Sequence, residues 1–136
     1  MTKREISVLI PAVIVTSAGF IAQSSINVAL PRLQLTFGIS AQGLVWLVNS
    51  YALPVGALLP LSGALSDRFG LRRVFLAGMV LFLVGSILSA IAVTGAMFYA
   101  SRAVQGVGGG LMIPGSLAIL TRVIAAERRG QAIGIW

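Results

Sequence analysis

Four long stretches of the chain are almost wholly apolar: about Ile6 to Leu30, Gln42 to Leu65, Val74 to Val93 and Met97 to Leu120, none with an acidic residue. A bilayer core of about 30 Å takes about 20 helical residues to cross, so each stretch predicts a membrane-spanning helix. Strands of a closed barrel would be short and alternating, whereas these runs are continuous and too long. The fold class expected is therefore an all-α membrane protein, with four transmembrane helices and the start of a fifth. That last run begins near Gly130 and continues as Gln131-Ala-Ile-Gly-Ile-Trp136, too short to cross a bilayer. Punctuation fits the same division. Pro31 predicts the end of span one, Ser40 the N-cap of span two, and Thr94-Gly95 a tight turn that makes spans three and four antiparallel neighbours. Pro54, Pro60 and Pro114 predict local breaks in the ladders of spans two and four.

Composition names the solvent. With 57% hydrophobic and 10% charged residues in 136, the chain has too little polar surface for a water-soluble domain. The net charge of +7 raises nucleic acid as a partner, but the positions of the charges point elsewhere. Lys3 and Arg4 precede span one, Arg68, Arg72 and Arg73 lie between spans two and three, and Arg122, Arg128 and Arg129 follow span four. Short loops rich in Lys and Arg stay in the cytoplasm. The amino terminus and the loops 66–73 and 122–129 are thus expected inside a cell membrane, with 31–41 and 94–96 outside and Arg32 in the first outward loop. A cleaved signal peptide fits poorly, because the first apolar run is longer than a signal core. There is no cysteine and no histidine, which removes thiolate chemistry and the common imidazole metal ligand. No metal and no cofactor is expected, and an enzyme finds no paired acid and base.

Between spans two and three runs Gly63-Ala-Leu65-Ser-Asp67-Arg68-Phe-Gly70-Leu71-Arg72-Arg73. This segment resembles the signature loop between helices two and three of the major facilitator superfamily of transporters, Gly-x-Leu-x-Asp-Arg-x-Gly followed by basic residues. Leu71 stands where the family usually has Arg or Lys. The resemblance implies a cytoplasmic gate made of Gly63, Leu65, Asp67, Arg68, Gly70 and Arg72, in which Asp67 pairs with basic groups and a helix N-terminus of the second half. From the residues themselves, Gly63 is expected to let a neighbouring helix approach and Gly70 to permit a sharp turn. The plainer reading is that these charges only fix topology.

Span four carries Arg102-Ala-Val-Gln105-Gly106-Val-Gly108-Gly109-Gly110. An arginine at the centre of a spanning helix costs about 2.5 to 3.5 kcal/mol, less toward the surface, and the sequence shows no evident offset. Arg102, Gln105, Gly106 and Gly109 follow i, i+3, i+4, i+7 spacing and are expected on one face. The segment is similar to the superfamily's helix-four motif Arg-x-x-Gln-Gly-x-Gly, matched at Arg102, Gln105, Gly106 and Gly108. That implies proton coupling for Arg102 with Gln105, Arg acting on a neighbour since it does not itself release a proton. Gly106, Gly108, Gly109 and Gly110 are expected to pack helices. A snorkelling arginine beside a packing face is the alternative.

Span one closes with Gln23-Ser-Ser-Ile-Asn27-Val-Ala-Leu-Pro31. Asn-Val-Ala-Leu-Pro looks like the helix-one signature of the drug:proton antiporter-2 branch, the fourteen-helix multidrug exporters. That branch commonly has an Asp where this chain has Ala22. Gln23 and Asn27, four apart, are expected to line a cavity or to bond between helices. The whole resemblance implies the amino-terminal part, residues 1–136, of a secondary transporter that exports small amphipathic compounds or drugs by alternating access. Protons would be the coupling ion and the remaining helices of a longer transporter the partners. Two alternatives stand beside it: a metabolite uptake carrier of the same superfamily, and a four-helix membrane scaffold that transports nothing.

Overall fold

The computed structural model describes residues 3–136, and side chains from Glu5 onward. The side chains of Lys3 and Arg4, expected to mark the inner end of span one, lie outside the described residues. Four long helices form: α1 (Lys3–Phe37), α2 (Ala41–Phe69), α3 (Leu71–Ala90) and α4 (Gly95–Val123), followed by a 3-10 turn (Ala126–Arg128) and a short α5 (Arg129–Ile135). No strand occurs among the described residues. Each of α1 to α4 is long and apolar enough to cross a membrane.

The connections are tighter than the sequence suggests. Pro31 does not end span one, since α1 runs through it to Phe37 and Arg32 is helical. One missing N–H is a smaller loss than an interrupted helix in an apolar solvent, where every freed backbone group goes unsatisfied. The expected loop 31–41 shrinks to the turn at 38–40, where Gly38 has φ +62°. Ser40 caps α2, accepting from the Gly43 N–H at 3.1 Å. Pro54 and Pro60 lie inside an unbroken α2, as Pro114 lies inside α4. The expected loop 66–73 is reduced to the single residue Gly70 (φ +91°). At that φ a residue with a Cβ is strained, so only glycine turns the chain there without cost. Asp67 and Arg68 consequently sit in the last turn of α2, and Arg72 in the first turn of α3. Thr94 caps α4 through the Met97 N–H at 3.2 Å.

Helix α4 is the centre of the bundle, packed against α1, α2 and α3. The interior combines apolar residues such as Leu47 and Met112 with polar groups, and much of the outer face is apolar. Ser62, Ser101, Arg102, Gln105 and Ser116 are buried, whereas Ile14, Phe20, Val28, Leu35, Val80, Leu83 and Ile91 point outward. In lipid no hydrophobic force separates these faces, so close backbone approach and internal polar contacts hold helices together. Glycines provide the approach. A Cβ on Gly85 of α3 would stand 2.5 Å from the Gln105 nitrogen, and one on Gly78 would stand 2.9 Å from Leu111 Cβ. On the α2 side, Gly106 lies against the Tyr51 carbonyl and Gly110 against Val55 and Leu58.

An apolar cluster of Leu9, Ala12, Leu120, Ile124 and Ala132 seats α5 against α1 and α4. There Trp136 Nε1 donates to Ser116 Oγ at 3.1 Å, and Ser116 Oγ lies 3.0 Å from Thr16 Oγ1. An ion pair of Arg128 with the buried Glu5 at 3.1 Å ties the 3-10 turn to the start of α1.

Candidate functional site

Arg102 stands about two turns into α4, roughly 10 Å along the helix, and is 1% exposed. It does not snorkel. Its Nη1 donates to Gln105 Oε1, one turn on along α4. Its Nη2 donates to Gln23 Oε1 of α1 at 2.8 Å, and its guanidinium carbon sits 4.4 Å from the Tyr51 ring centroid of α2. Gln105 Nε2 in turn donates to Ser86 Oγ of α3 at 2.8 Å, and Ser86 donates to the Phe82 carbonyl at 2.7 Å. One residue of α4 thus gathers a partner from each of the other three spanning helices, by way of Gln105 in the case of α3.

The electrostatics of this cluster are one-sided. The chain holds three carboxylates, Glu5, Asp67 and Glu127, and none reaches Arg102. Asp67 is sixteen positions beyond Tyr51 on α2, about 24 Å along the axis. The guanidinium is held by neutral dipoles and by a π face, the latter contributing up to about 2 kcal/mol when desolvated. Its Nε is buried and has no hydrogen-bond partner among the described residues.

Not every expected residue joins the cluster. Gln23 does, but Asn27 is exposed and makes no side-chain hydrogen bond among the described residues. The expected single face of α4 divides: Arg102, Gly106 and Gly109 meet Tyr51, whereas Gln105 and Gly108 meet α3 at Ser86 and at Gly78 with Phe82. Among the described residues, nothing outside its own stretch of α2 stands within 4 Å of where a Gly63 Cβ would be, so the expected close approach of a helix is not made here. Asp67 and Arg68 are exposed, and Arg68 lies 5.4 Å from the ring of Phe69. A cleft of about 160 Å³ near the end of α2 is lined by Gly63, Asp67, Leu71 and Arg122, among others. Leu65 is half-buried and Arg72 exposed. No group of His, Cys, Asp or Glu able to hold a metal occurs among the described residues. Tyr51 and Ser86 are cluster members to which motif reading gave no role. Their signal was a polar side chain within an apolar run, where hydrogen-bonding groups seek partners.

Four lipid-compatible helices around a buried, hydrogen-bonded arginine define a multi-pass membrane protein. Residues 12–136 match the family model described as Major Facilitator Superfamily, and the chain belongs to that family. It is 35% identical over 132 residues to the methylenomycin A resistance protein of Bacillus subtilis, covering 93% of this chain and 28% of that protein. It is 38% identical over 118 residues to the drug efflux pump JefA of Mycobacterium tuberculosis (86% and 23% covered). It is 39% identical over 113 residues to the cephamycin export protein CmcT of Amycolatopsis lactamdurans (82% and 23% covered). The chain spans about a quarter of the length of these curated relatives.

Proposed function

We propose that residues 1–136 form the first portion of a secondary transporter that exports small amphipathic compounds by alternating access, driven by proton entry. The observation that carries this reading is the tie of Arg102 to Gln23, Gln105 and Tyr51. A buried cation that links α4 to α1 and α2 directly, and to α3 through Gln105, makes the four helices move as one body. Rigid-body rocking of one helix group against another is how transporters of this kind expose a midplane site alternately to the two sides. Names of relatives that include resistance, efflux and export support outward transport of drug-like compounds.

In this reading Arg102 and Gln105 belong to coupling. Gln23 faces the substrate cavity, and Asn27 lines it further along α1. Asp67, Arg68, Gly70 and Arg72 with Gly63 and Leu65 form the gate on the cytoplasmic side, contacting helices beyond residue 136. The amino terminus and the basic end of the bundle lie in the cytoplasm, since Arg68, Arg72, Arg73, Arg122, Arg128 and Arg129 all collect there. The test is flux of a fluorescent amphipathic compound in inverted membrane vesicles carrying the full-length protein. Flux that survives ATP depletion and stops with an uncoupler supports the reading; flux that follows ATP alone overturns it.

A further inference from the structure

The Arg102 cluster contains more information than its membership. Arginine has donors only, so the oxygen of each glutamine it touches must face it. That requirement fixes both amides. Gln105 turns its NH2 toward Ser86 and Gln23 turns its NH2 away from the guanidinium. All donors in the cluster therefore point outward from the positive charge. Polarisation along such a chain strengthens the last donor in the line.

The two outward ends differ. The Gln105 end is capped by Ser86, whose own hydrogen is committed to the Phe82 carbonyl. The Gln23 end is open. Gln23 is half-buried, and its Nε2 makes no hydrogen bond among the described residues. Behind it, among the described residues, no carboxylate meets the Arg102 charge and its Nε has no partner. An accessible amide donor backed by an uncompensated buried cation in a weakly polar medium attracts negative charge and repels positive charge.

Resting on the transporter reading above, we infer that Gln23 and Arg102 form a subsite for the carboxylate of an amphipathic anion, the Gln23 amide donating to it and Arg102 supplying the counter-charge. The substrate class is then acidic amphipathic compounds rather than cationic drugs. Gln23 contacts the carboxylate, and Arg102 acts from behind it.

The experiment compares three probes on one aromatic body, 1-naphthoate, 1-naphthamide and 1-naphthylmethylammonium, for binding to the purified full-length protein and for flux in inverted vesicles. In the unmodified protein the carboxylate probe is expected to bind at least tenfold more tightly than the ammonium probe, with the amide between them. Gln23→Glu, near-isosteric and at a half-buried position, is expected to abolish or reverse that order by neutralising Arg102. Gln23→Leu is expected to weaken carboxylate binding without bringing in ammonium binding. Equal or tighter binding of ammonium by the unmodified protein overturns the inference, and would mean that a carboxylate elsewhere in the protein neutralises Arg102. An order left unchanged by Gln23→Glu overturns it as well. Carboxylate preference in binding with no gradient-driven flux of any probe leaves the subsite standing and removes the transporter reading instead.

Discussion

Arg102 on α4 and Gln23 on α1 are hydrogen-bonded at 2.8 Å across 79 positions of sequence. This pair is a polar link between the first helix and the central one, as is Thr16 with Ser116 further along the same helices. A lysine's single ammonium cannot reproduce the planar fork that reaches Gln23 and Gln105 together. Arg102→Lys is therefore expected to lower transport by the full-length protein at least tenfold, while amounts in the membrane stay within about twofold. Vesicle flux normalised to protein checks this.

The glycines of α4 differ sharply in what surrounds them. Gly106 and Gly108 lie against the backbones of Tyr51 and Phe82, and neither neighbour can give way by rotating a side chain. Adding a methyl group there forces helices apart, at about 1 to 3 kcal/mol for overpacking. Gly106→Ala and Gly108→Ala are expected to lower the detergent melting temperature and Gly56→Ala to leave it nearly unchanged, since open space surrounds Gly56.

Helix starts give a smaller, independent test. Ser40 and Thr94 each accept a backbone N–H three residues on. Removing such a cap costs about 1 kcal/mol. Ser40→Ala and Thr94→Ala are each expected to shift stability by about that amount with transport retained, as read from thermal unfolding monitored by fluorescence.

At the opposite end, Asp67 is exposed in the last turn of α2. Under the proposed gate its partners belong to helices outside this chain. Asp67→Asn in the full-length protein is expected to leave insertion intact and reduce transport several-fold. Unchanged flux would confine the charge to a topological role.

How far the sequence leads varies by element. Four spans were legible because hydropathy over about 20 residues outweighs every local signal. The ends were not. Pro31 is a helix breaker in water, and α1 passes through it because lipid offers the backbone no alternative partner. The charged stretch after Ser66 reads as a loop, yet one left-handed glycine suffices to reverse the chain. At the site, Arg102 and Gln105 were conspicuous as costly polar residues at helical spacing. Tyr51 and Ser86 were not, because nothing local marks which of the two tyrosines and the many serines will face a cation once helices assemble. Asn27 shows the converse: a spacing shared with Gln23 does not bring it into the cluster.

The central claim is that the buried Arg102 cluster takes part in transport and is more than a fastener between helices. The most direct measurement pairs Arg102→Met with the unmodified full-length protein, reading proton-driven flux in inverted vesicles and monodispersity in detergent from the same preparations. Methionine fills similar volume without a charge to bury, so the variant is expected to remain folded and monodisperse while flux falls to background. A monodisperse Arg102→Met protein that transports at the unmodified rate would contradict the account.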